Sequence, residues 1–206
     1  MTLAILLTAI LLGLRHALDP DHLTAVLALV ISKGGKARDA AKIGLSWGLG
    51  HSVSMVVLGL PVILLASHLP MWAYASAEFL VGVVIIYFAA RLLTQLVNSK
   101  FHLHKLPKRQ HTHKKAVGVG MLHGVGGSYP GALLVMASFK TAAAATVGLL
   151  VFTFFSILSM IGVTTLFSMA VLHHKFMHVT NYVLIPLFAF SSILFGLWYI
   201  QQALGL

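Results

Sequence analysis

Long apolar stretches alternate with short polar ones along the chain, and this pattern predicts an all-α integral membrane protein. Thirteen apolar or small residues from Thr2 to Leu14, and nine more from Leu23 to Ile31, flank the polar cluster Arg15-His-Ala-Leu-Asp-Pro-Asp-His22. Neither flank reaches the roughly 20 residues a helix needs to cross about 30 Å of hydrocarbon, but the two together do. They read as one span broken in its middle. Pro20 lacks an N–H, so the carbonyl of His16 loses its helical partner there and the backbone is free to bend.

Five further spans follow. A basic turn, residues 32–39, leads to a second span over 43–67, and residues 68–70 close it before a third over 71–97. Residues 98–115 form the longest polar segment, and a fourth span over 116–139 contains six glycines. A fifth covers 142–172, and residues 173–178 link it to a sixth over 181–204. The resulting organisation is a three-helix repeat over 1–97, a His/Lys-rich loop over 98–115, and a second three-helix repeat over 116–206. Gly13-Leu-Arg-His16 aligns with Gly120-Met-Leu-His123 at a shift of 107 residues, which also sets Asp19-Pro20 opposite Gly126-Gly127. Three spans per half would make the halves inverted repeats, each opened by a broken helix, an arrangement that places a binding site at the repeat interface.

Composition agrees with the pattern. Hydrophobic residues make up 59% of the 206 positions and charged ones 9%; the mean hydropathy is +0.95. These values exclude an ordinary soluble domain. The formal charge of +10 does not call for a nucleic-acid partner, because the basic residues lie between the spans. Twelve of the fourteen, all but Arg15 and Lys140, fall in the first, third and fifth connections or at their edges. That asymmetry predicts cytoplasmic histidine-rich loops, both termini outside and a location in the cell membrane. Cysteine is absent, which removes disulfides, thiolate metal sites and thiol relays. No Lys or Arg precedes the first apolar run and no small-residue cleavage site follows it, so the run reads as retained.

The chemistry-bearing residues sit where charge is expensive. His16, Asp19, Asp21 and His22 combine neutral imidazole with carboxylate, the donor set of borderline first-row divalent metals. His16 with Asp19, and Asp19 with His22, are i,i+3 neighbours on an unbroken helix, whereas Asp21 faces elsewhere. Either this cluster binds a cation or Arg15 pairs with Asp19 inside a buried polar network. His51, flanked by Gly50 and Ser52, is placed near the bilayer midplane; it is either a satisfied interhelical hydrogen-bonding group or a ligand completing the His/Asp cluster. His123, with Gly126, Gly127 and Ser128 after it, would line the same site from the second repeat. Glu78 is an interfacial carboxylate or an entrance group for cations. The loop residues His102, His104, His111 and His113 form two H-x-H pairs that either bind metal weakly or are simply solvated. No P-loop and no base–nucleophile pair is visible, so neither nucleotide-driven transport nor an enzyme is indicated.

Arg15-His-Ala-Leu-Asp-Pro-Asp-His-Leu23 followed by Leu49-Gly-His-Ser52 resembles the paired motifs of the nickel/cobalt transporter (NiCoT) family. Pro20 stands where that family has alanine and Leu23 where it has isoleucine, and the second half lacks an L-G-F-D-T motif. His123-Gly-Val-Gly-Gly-Ser-Tyr129 in its place is similar to the short urease-accessory membrane branch of the superfamily. The resemblance implies a secondary transporter of Ni²⁺ or Co²⁺ with no permanent cofactor, most directly for uptake across the cytoplasmic membrane. In it, His16, Asp19, Asp21, His22 and His51 take the metal-handling positions. Efflux, or a non-transporting role docked to nickel-enzyme maturation proteins, are its alternatives; membrane lipid and a second copy of the chain are the further partners expected.

Overall fold

The structure, a computed structural model, describes residues 3–19, 22–23, 37–65, 71–98, 112–126, 139–171 and 179–205. Among them every regular element is a helix: α1 (Leu3–His16), α2 (Ala37–Leu65), α3 (Met71–Asn98), α4 (Thr112–Gly126), α5 (Ala142–Val171) and α6 (Ile185–Leu204), the last entered through a π-helical turn, Thr180–Leu184. Three stretches, Ala37–Leu64, Ala142–Ala170 and Tyr182–Leu204, are long and apolar enough to cross a bilayer. With the family assignment below, this identifies a membrane protein.

Several helices overrun the apolar stretches that predict them. The second begins at Ala37 and the fourth at Thr112, inside segments read from sequence as polar connections. The physical reason is that backbone hydrogen bonding continues into water after hydropathy has fallen, so Arg38, Asp39 and Lys42 occupy the first turns of α2. As a result His51 is the middle residue of its 29-residue helix. At the far end, Gly205 adopts a left-handed conformation (φ 68°) and caps α6, its N–H reaching the carbonyls of Gln201 and Gln202.

Packing is organised around α2, which lies against both α4 and α5; α1 packs on α5, α3 on α6, and α3 also touches α4. Small residues set the separations. A Cβ on Gly13 would stand 2.6 Å from the Phe152 carbonyl oxygen of α5, and one on Gly120 would overlap the Trp47 carbonyl of α2. A Cβ on Gly82 of α3 would stand 2.8 Å from the Gly196 carbonyl oxygen of α6, and one on Gly196 would stand 2.9 Å from that of Gly82. Backbones approach this closely in lipid because apolar tails give helices no hydrophobic reason to associate, and dispersion across small residues does the holding.

Polarity runs from the inside outward. Leu3, Leu11, Leu64, Leu166 and Leu187 are more than half exposed, while His16, His22, His51, His123, Ser156, Thr164 and Ser168 are buried. A body that hides its imidazoles and hydroxyls and presents leucine suits hydrocarbon surroundings.

Candidate metal centre

The first helix ends where the polar cluster begins. Ala17 and Leu18 form a turn, Asp19 a bend, and helical geometry returns at His22 and Leu23. Leu18 N–H donates to the Arg15 carbonyl at 2.8 Å, Asp19 N–H to that of His16 at 3.2 Å, and the N–H groups of His22 and Leu23 both reach the Asp19 carbonyl at 3.0 and 3.1 Å. The break is therefore real, but the His16 carbonyl is not released by it: the tightened turn gives that oxygen a new donor. Pro20 and Asp21 lie outside the described residues.

Folding back at Ala17 lets one segment contribute two imidazoles to a single point. His16 Nε2 lies 3.0 Å from His51 Nε2 of α2. His22 joins them, the three offering ring nitrogens that all lie within 4.8 Å of one another, and all three residues are buried. Two nitrogens bound to one first-row ion at about 2.0–2.1 Å each stand about 3 Å apart, so the His16–His51 spacing already suits coordination.

Asp19 faces the outer nitrogen of His16. Its Oδ2 is 3.2 Å from His16 Nδ1, while the Asp19 side chain keeps 40% exposure. A neutral His16 donating Nδ1–H to this carboxylate presents an unprotonated Nε2 inward, the outer-sphere arrangement that orients histidine ligands in metal sites. The ionic partner the structure gives Asp19 is therefore His16. Arg15, the partner considered from sequence, is exposed on the outer side of α1.

The remaining candidates divide by location. His123 of α4 is 2% exposed, its ring centroid 4.4 Å from that of His22 and 6.3 Å from that of His51. Gly50 stands beneath Val117 of α4, where a Cβ would overlap the Val117 carbonyl, and the Ser52 hydroxyl donates to the Thr153 carbonyl of α5 at 3.4 Å. Both are packing residues around His51. Gly126 ends α4, while Gly127 and Ser128 lie outside the described residues, as do His102, His104 and His111. Glu78, half-buried on α3, is not among the grouped imidazoles. His113 belongs to the first turn of α4, with its Nδ1 3.3 Å from the Ser46 hydroxyl of α2.

Sequence reasoning gave no role to Trp47, one turn before His51. Its indole is fully buried, with ring centroids 5.2 Å from His22 and 6.0 Å from His123, inside a cluster with Ala40, Ile43 and Ala116. The Trp47 Nε1–H has no acceptor among the described residues. On the other side of the site Phe152 packs at 5.4 Å from His16. The signal available in the sequence was spacing alone: Trp47 lies one helical turn from His51 and therefore on the same face.

A helical body with lipid-compatible surfaces and buried, convergent imidazoles defines a membrane protein built around a polyhistidine centre. Residues 2–116 match the NicO family, described as high-affinity nickel-transport protein. This match spans more than half of the chain, which therefore belongs to that family, and its place is among transporters of nickel rather than among enzymes. The chain is also 28% identical to the urease accessory protein UreH of Bacillus sp. (strain TB-90), over 97% of this chain and 92% of the relative. No solved structure matches.

Proposed function

We propose that the chain takes up Ni²⁺, and Co²⁺ by the same ligands, across the cytoplasmic membrane by secondary transport. The observation that carries this reading is the buried group of His16, His22 and His51, two of whose ring nitrogens already stand 3.0 Å apart. The ion exchanges its water for these imidazoles, Asp19 orients His16 and contributes negative charge, and Asp21, next to His22 in sequence, supplies a second carboxylate. Protons compete for the same nitrogens, so acidification on the releasing side weakens binding.

The architecture proposed around this site is six spans in two inverted three-helix repeats, 1–97 and 116–206, joined by a cytoplasmic His/Lys-rich segment, 98–115, whose last residues already belong to α4, with both termini outside. Its support is the pairing of helices. Under exchange of α1 with α4, α2 with α5 and α3 with α6, the α2–α5 and α3–α6 contacts map onto themselves and α1–α5 maps onto α4–α2, while α3–α4 has no comparable α6–α1 counterpart among the described residues. Gly13 and Gly120 occupy matching places in the exchanged pair. A second role, delivery of the ion to proteins that mature a nickel enzyme, is favoured by the description of the relative as a urease accessory protein.

The test is tracer Ni²⁺ flux into proteoliposomes with an imposed pH gradient. Saturable accumulation that Co²⁺ competes for is expected. Flux no faster than in protein-free vesicles, with the chain folded and correctly inserted, would overturn transport and leave the accessory role.

A further inference from the structure

The His22–His51 pair has an imidazole on each side. His16 lies at ring-centroid distances of 4.4 Å from His22 and 5.0 Å from His51; His123 lies at 4.4 and 6.3 Å from the same two rings. The two flanking histidines hold matching positions, each three residues beyond the glycine, Gly13 or Gly120, at which its helix touches its neighbour. All four residues are buried. One set of three, His16–His22–His51, is compact; the other, His22–His51–His123, shares an edge with it and is wider.

The geometry points to two overlapping coordination sets for the divalent cargo, with His16 exchanged for His123 while His22 and His51 stay bound. This inference rests on the transport reading and adds to it the path of the ion through the site. A cation that must cross an apolar body can neither keep its full hydration shell nor be held irreversibly, and neighbouring weak sites resolve that conflict. Keeping two ligands while exchanging the third means the ion is never stripped to a single contact. Being wider, the His123 set binds less tightly, which assigns it to the releasing side. The competing explanation is that His123 merely orients His22 through a hydrogen bond and never meets the ion.

A double-mutant cycle separates the two. Co²⁺ affinity and its visible absorption spectrum are measured on the purified full-length chain and on His16→Asn, His123→Asn and the double variant, with tracer Ni²⁺ flux in proteoliposomes and melting of each metal-free protein. With overlapping sets, His123→Asn alone leaves affinity and spectrum nearly unchanged because the His16 set persists. In the His16→Asn background the same change lowers affinity by at least about 100-fold, the upper end of what losing an outer-sphere partner costs. Each single variant loses most flux. Equal affinity loss in both backgrounds, or wild-type flux in His123→Asn, overturns the exchange while leaving the His16–His22–His51 site in place. Should His22→Asn keep both Co²⁺ binding and flux, the transport site itself has been misplaced and the exchange falls with it. If an Asn variant melts early, His→Gln at the same position supplies the cycle.

Discussion

The α1–α5 and α2–α4 contacts are built to one plan and carry different chemistry. Each has a glycine pressed on a backbone carbonyl, a histidine three residues later, and a buried aromatic opposite: Gly13, His16 and Phe152 in one, Gly120, His123 and Trp47 in the other. The facing helices differ where it matters. At the spacing that sets Trp47 against Phe152, His51 of α2 answers to Ser156 of α5, whose hydroxyl donates back to the Phe152 carbonyl at 2.8 Å. Only α1 continues into an acidic residue, Asp19, paired to its histidine. The contact is repeated, whereas the grouped imidazoles His16, His22 and His51, with Asp19 beside His16, gather at the α1 end of it.

The sharpest way to break this comparison is to exchange the residues that distinguish its halves. His51→Ala should abolish Ni²⁺ flux and metal-dependent thermal stabilisation, since stabilisation by a ligand vanishes with its binding. Ser156→Ala, which removes only a hydroxyl bonded within its own helix, should leave flux close to wild type. Equal losses in the two, measured in proteoliposomes, would mean that the site draws on α5 as much as on α2. Asp19→Asn should come next: the amide still occupies the space, but the negative charge facing His16 is gone, so Ni²⁺ affinity falls by roughly 10–100-fold. The metal-free protein should melt nearly as before because the pair is partly solvated. Isothermal titration and a melt on the same sample decide it.

The glycines sharpen the comparison by stability rather than activity. Overpacking costs about 1–3 kcal/mol, and the α2–α4 contact is the tighter, so Gly120→Ala should lower the melting midpoint of the metal-free protein more than Gly13→Ala. The reverse order would mean that α1, and not α4, is pinned more firmly. Smallest of all should be Trp47→Phe, which makes one contact resemble the other. Lost ring area is offset by removal of a buried N–H that lacks an acceptor among the described residues, leaving a net change below about 1.5 kcal/mol. A larger loss in a denaturant melt would show that the indole N–H is engaged.

What could be read before the structure, and what could not, follows from which forces leave a trace in one dimension. The charges of residues 15–22 inside an apolar run marked the cluster, because their desolvation has no cheap explanation. The match of Gly13 to Gly120 was visible as a repeated string. By contrast, the ring of Trp47 beside His22 depends on rotamers and on how closely α2 approaches the turn after α1. Arg15 facing outward depends on the rotational phase of α1 against α5, which hydropathy averages away. The π-helical entry to α6 and the polar first turns of α2 and α4 escaped for a related reason: hydrogen-bond register is nearly independent of side-chain hydrophobicity.

Imidazole coordination has an electrical consequence. Neutral ligands do not cancel the charge of what they hold, so the loaded histidine centre carries two more positive charges than the empty, deprotonated one. A membrane potential acts on that difference with about 2.3 kcal/mol per charge for each 100 mV. If the centre carries the ion as proposed, an interior-negative cell favours its inward movement even without a concentration gradient. Vesicles clamped by a potassium diffusion potential should fill faster when negative inside, and the inward current should vanish with His51→Ala.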